Sequence, residues 1–253
     1  MGKVKIKRKS TLIDMTAMSD VTVLLLTFFM LTSTFLQKEP VTVITPSSVS
    51  EIKVPTSNVA QVLVSPRGNV FMSVLGDADP DNAEEWGSEA LRKEILKTAK
   101  ADYEAKTGKQ TGITPMDIEK FAKNASFGVP LDKMHEFLML ETAKQDEFLG
   151  QTPDKPVLIG NLKPKDIGIP FKEIAYTDAD GNRLTTNEFQ IWMRAIYNSS
   201  NTNIKEAIQK GEGIAVKSDR GTKFETIHEV LDNLQTIKMN KFSVMTALKT
   251  EAD

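Results

Sequence analysis

The chain has no cysteine and only two histidines, His135 and His228, far apart among its 253 residues. The missing thiols exclude disulfides, thiolate nucleophiles and cysteine-bound zinc, and two scattered imidazoles leave little for histidine-rich metal chemistry. There is no excess of charge of either sign. Thirty-two basic residues face 34 acidic ones, a net −2, which argues against a general nucleic-acid binder. Hydrophobic residues at 40 % and charged residues at 26 % also exclude global disorder. No catalytic residue set, metal site or cofactor motif emerges, so the chain is expected to be non-enzymatic and to use no cofactor.

The charge is unevenly placed. Residues 1–10, MGKVKIKRKS, carry Lys3, Lys5, Lys7, Arg8 and Lys9 and no acid, so a net −2 for the chain leaves −7 for the other 243 residues. Behind this cluster comes the one strongly apolar run, TLIDMTAMSDVTVLLLTFFMLTSTFLQ. Residues 21–36 contain no charge, but as a helix they rise only ~24 Å, short of a ~30 Å hydrocarbon core. Beginning at Met15 lengthens the helix to ~33 Å, enough to span. A cleaved secretion signal fits poorly, because no A-x-A-like site follows and an acid interrupts the run. A signal anchor fits well. Five positive charges before the helix, against Lys38 and Glu39 after it, predict a cytoplasmic N-terminus and a C-terminal bulk across the membrane, in a bacterial periplasm.

The spanning helix would enclose Asp20. A carboxylate at membrane depth costs at least ~2.5–3.5 kcal/mol, so it must face protein or water and is a functional candidate. At ~100° per residue Thr16, Asp20, Thr27 and Thr34 fall near one face, making a polar seam that requires partner helices. Asp14, at the membrane edge, can snorkel; Asp20 lies six residues deeper with a short side chain, which makes an incidental interfacial acid the weaker reading. Burial without a cation raises a carboxyl pKa, so Asp20 can gain and lose a proton. Sodium is the alternative ion, held by hydroxyls such as Ser19, Thr16 and Thr22.

Ile13-Asp14-Met15-Thr16-Ala17-Met18-Ser19-Asp20-Val21, followed by LLL and FFM, resembles the ExbD/TolR family of biopolymer-transport proteins. Ile13, Asp14, Thr16, Asp20 and Val21 match the family pattern, with Phe29 and Met30 in register; Ala17 stands where the family has proline and Ser19 where it has an apolar residue. GIAVKSDRGTKFETIHEVLDNLQTIKMNKFSVMT resembles the family's closing strand, loop, helix and strand, with Asp219 in the loop. The resemblance covers residues 1–76 and about 171–249. It implies a dimer of such helices, with its own copy or a paralogue, inside a polytopic partner resembling ExbB, TolQ or MotA, and a TonB-like protein that receives the motion.

The expected fold class is α+β: one transmembrane helix, then a small mixed α/β periplasmic domain with an inserted helical segment. Residues 1–11 form a basic cytoplasmic tail, 12–37 the transmembrane helix, 38–60 an extended periplasmic linker, and 61–249 the domain, with the insertion at about 77–170. Turn chemistry at Ser65–Asn69 predicts a hairpin over residues 61–75. Helices are expected over 83–106, from Thr114 to about 125, and from Pro130 to before Gly150, with Met134, Phe137, Leu138 and Leu140 on an apolar face. Residues 178–182 lack the ligands of a calcium loop and read as a turn. Thr185 and Glu188 read as a capping box for a helix through Tyr197. A strand over 213–217, a helix over 224–237 and a strand over 242–246 complete a mixed sheet. His135 and His228 read as packing and surface residues.

Two functions follow. One is a subunit that harvests the proton-motive force in the cell inner membrane, with Asp20 as the titrating group and Thr16, Thr27 and Thr34 as its polar surroundings. The alternative is a non-motor, TolR- or MotB-like single-pass anchor whose outer domain binds cell wall or a partner.

Overall fold

A computed structural model of the chain describes residues 15–32, 39–48, 57–77, 87–151, 160–178, 180–245 and 247–248. These divide into two compact units, residues 1–38 and 39–253. The first contains one described helix, α1, Met15–Thr32. The ends of the helix expected over 12–37 lie outside the described residues.

The second unit is organised on a hairpin that the turn Ser65-Pro66-Arg67-Gly68 closes. Pro66 presets the turn, and Gly68 adopts the left-handed φ of +84° that a β-carbon would resist. The Gly68 N–H donates to Ser65 O at 2.9 Å and the Ser65 N–H to Asn69 O at 2.9 Å. The strands are β2, Val59–Val64, and β3, Val70–Leu75, antiparallel with Val59 opposite Leu75; a two-residue strand, β1, Ser47–Ser48, precedes them. Only Gln61 of β2 is not fully buried, the near-continuous apolar run of a strand covered on both faces.

Four helices and one strand follow: α2 (Ser88–Thr107), α3 (Pro115–Lys123), β4 (Ser126–Phe127), α4 (Met134–Leu138) and α5 (Thr142–Gly150). Leu91, Ile95, Leu96, Ala99 and Tyr103 line the buried face of α2 at helical spacing. Thr114 caps α3 in a reciprocal box with Asp117. The single helix expected from Pro130 is two: Met139 stays near helical geometry, Glu141 is extended, and Thr142 starts anew. The segment expected as a helical insertion also contributes a strand, because β4 joins the main sheet beside β3.

A hairpin of β5 (Ile174–Thr177) and β6 (Arg183–Thr186) comes next, then α6 (Glu188–Tyr197), α7 (Thr202–Lys210), β7 (Ile214–Ser218), α8 (Phe224–Thr236), β8 (Ser243–Met245) and β9 (Ala247–Leu248). Asp178 Oδ1 accepts the Asn182 N–H at 2.7 Å, so this stretch is a turn. The α6 cap is Asn187, whose side chain accepts the Gln190 N–H, rather than Thr185. The main sheet has the order β4-β3-β2-β7-β8, with β7 parallel to both β2 and β8. A separate pair joins β1 to β9 in parallel. α2 packs against α3, α6 and β3, while α6 also meets α7 and α8. Trp192 of α6 closes the core, stacked on Phe121 of α3 at 5.8 Å and tilted against Phe127 of β4 at 4.5 Å. Insertion and closing motif thus share one interior.

Part of the stretch expected as a linker is docked. Val43 is buried in the core, Ile44 N–H donates to Asp219 Oδ2 at 2.7 Å, and Arg220 N–H donates to Ile44 O at 2.8 Å. Glu39 pairs with Lys217 at 2.6 Å.

Candidate functional site

Along α1 every described side chain from Met18 to Leu31 is exposed, including Val21, Leu25, Phe28, Phe29 and Met30. A helix with this much exposed apolar surface is stable only when lipid or protein covers it. Asp20 stands exposed on it as the one charged residue between Met15 and Thr32. Among the described residues no helix is long and apolar enough to cross a membrane; the 18 residues of α1 rise ~27 Å against a ~30 Å hydrocarbon core.

The hydroxyls near Asp20 are partly committed to their own helix. Thr27 Oγ1 donates to Leu24 O at 2.9 Å, and Thr22 Oγ1 to Met18 O at 2.5 Å. Thr27 shares the Asp20 face but lies two turns away, ~10.5 Å along the axis, so within one chain its hydroxyl is out of reach of that carboxyl. Thr16 lies in the first turn of α1, and Thr34 lies outside the described residues.

In the second unit, Asp219 begins the loop after β7. Its Oδ2 receives the Ile44 N–H and its Oδ1 the Gly221 N–H at 2.7 Å, which leaves it nearly buried. The residue is thus a clamp on the segment that enters the domain.

His135 is not a free imidazole. Its Nδ1 meets Asp117 Oδ2 at 2.7 Å, and that oxygen also accepts from Thr114 N–H at 2.8 Å and Thr114 Oγ1 at 2.7 Å. Burial pushes the Asp117 carboxyl up, but the donors from Thr114 and His135 together outweigh it and hold it below the usual carboxylate range. His228 lies on the α8 surface, stacked on Phe224 at 5.7 Å. Among the described residues no group of three or more histidines and acids could hold a metal ion.

Glu188 was legible only as a helix-start residue. In the structure it is 6 % exposed, at the first turn of α6, with Oε2 accepting the Leu131 N–H at 2.8 Å. Burial pushes its carboxyl up to about 7; the Leu131 N–H opposes this and Asp132 adds to it. Tyr103 of α2 is pushed up to about 12 by burial and by the Glu188 and Asp132 carboxylates.

One helix with a single acid among mostly apolar side chains is thus followed in the chain by a mixed-sheet domain. Residues 7–124, just under half of the chain, match the family model of biopolymer transport protein ExbD/TolR. Over this stretch the chain is similar to the ExbD/TolR biopolymer transport proteins. The matched stretch holds α1 and Asp20 and runs past the hairpin through α2 and α3, into the segment expected to be an insertion. The closing stretch over 171–249 lies outside it. No curated protein and no solved structure matches the chain.

Proposed function

We propose that the chain is the proton-motive-force-harvesting subunit of an energy-transducing complex of the ExbB–ExbD–TonB type. The observation that carries this reading is α1 itself: one carboxyl as the only charge on a helix whose exposed side chains are mostly apolar, within the stretch that matches the family. Extended over 12–37 the helix spans the inner membrane once, with the basic tail in the cytoplasm and residues 39–253 in the periplasm. A polytopic ExbB-, TolQ- or MotA-like partner and a second helix of this kind cover the apolar surface and supply polar groups to Asp20, flanked on its face by Thr16, Thr27 and Thr34.

Asp20 takes a proton from the periplasmic side and releases it inward. When charged, it holds the helix to polar groups of the partner; when neutral, it lets the helix slip past them. A unit charge crossing ~100 mV contributes about 2.3 kcal/mol, so forceful work needs several protons. The outer domain passes the motion to a TonB-like protein.

The test is Asp20→Asn, which preserves volume and polarity but cannot titrate. The reading requires a variant that still co-purifies with its polytopic partner yet loses energised outer-membrane uptake. Full uptake by an assembled variant would leave a non-motor anchor whose outer domain binds cell wall or a partner.

A further inference from the structure

The interface between α6 and the segment leading into α4 is held by an acid almost out of water. Glu188 starts α6, and the one hydrogen bond it receives among the described residues comes from the backbone of Leu131, itself fully buried. The titratable groups that face it are Asp132, in the α4 approach, and Tyr103, on α2. Both are acids. No ion pair reaches Glu188 among the described residues. The α6 N-terminus favours a carboxylate there, but only partly offsets the loss of water.

We infer that Glu188 is a pH-operated latch: its neutral carboxyl holds the Leu131 segment against α6, and its ionisation releases that segment. In the neutral state Oε2 accepts the Leu131 N–H without placing a charge in the interface. In the ionised state one N–H faces a full charge that lacks a cation and lies near Asp132. Separation lets water reach the carboxylate and carries Asp132 away. The latch stands on the second unit alone and holds whether or not Asp20 moves protons.

Because the folded value, about 7, lies above the ordinary 4.5, the stabilisation is complete below pH 4.5 and is lost as pH rises through about 7. A displacement of that size makes the opening constant grow by roughly 10²-fold across the window.

Hydrogen exchange of the full chain in detergent, followed at the Leu131 amide and corrected for intrinsic exchange, tests this. Opening is expected to rise by about tenfold or more between pH 5 and pH 8 in the wild type and to stay level, within about twofold, in Glu188→Gln. A flat wild-type profile, or the same rise in Glu188→Gln, overturns the latch. If Glu188→Gln fails to fold, Asp132→Asn, at an exposed position, decides. A midpoint displaced to lower pH supports the latch and an unmoved one overturns it.

Discussion

Asp20 and Glu188 are two acids placed by opposite means. Asp20 sits exposed on a helix whose described apolar side chains are exposed too; in the proposed complex, partner helices bury it. Glu188 is buried by its own fold, with Leu131 supplying its hydrogen bond and Trp192, one turn along α6, locked between Phe121 and Phe127. If the proposed complex forms, the first region depends on assembly and the second on folding, and perturbations should separate them cleanly.

The largest separation is expected from Trp192→Ala. Loss of a fully buried indole from the shared interior should destabilise residues 39–253 by about 3–5 kcal/mol, read as a drop in denaturation midpoint. Helix content of α1 in detergent should not change; a coupled loss of α1 would break the contrast between the regions. Next comes Asp219→Ala, which strands the Ile44 and Gly221 N–H groups. A cost of about 2 kcal/mol is expected, with faster exchange at residues 43–44. Unchanged exchange there would show that Val43 burial, the bond from Arg220 to Ile44 and the Glu39–Lys217 pair hold the entering segment without Asp219.

Thr114→Ala should cost about 1 kcal/mol through loss of the α3 cap. It should also narrow the acid stability range. The Asp117 carboxyl is held below its ordinary value, so its contribution is present above the unfolded value and fades as pH falls through the folded one. Removing the hydroxyl donor, while the backbone N–H stays, raises the folded value and so shrinks that contribution; an unchanged acid profile would count against the bond from Thr114 Oγ1 to Asp117. The smallest effect belongs to Thr27→Val. Its hydroxyl bonds Leu24 in its own helix, so uptake is expected within about threefold of wild type, and a loss comparable to that of Asp20→Asn would place this hydroxyl on the proton path.

Local chemistry made much of this readable in advance. Ser65-Pro66-Arg67-Gly68 marked the hairpin, Thr114-Pro115 with Asp117 marked α3, and apolar spacing marked α2 and α8. The misses have non-local or competing causes. α7 was not expected, because Ser199-Ser200-Asn201 reads as loop although Asn201 caps the helix through the Asn203 and Ile204 N–H groups. The break before Thr142 has no proline or glycine to announce it. The parallel pairing of β2 with β7 joins residues some 150 positions apart (Ala60 with Ile214), which no window of sequence displays. Asp20 could be singled out because an acid in an apolar run is conspicuous on its own. Glu188 could not, since its burial is made by α2, α6 and the Leu131 segment together.

The most direct measurement is infrared titration of the Asp20 carboxyl in the chain assembled with its polytopic partner, taking the difference from Asp20→Asn. The account predicts a protonated-carboxyl band that disappears as pH rises within the working range and responds to an imposed proton gradient. A carboxylate ionised at every working pH would contradict it.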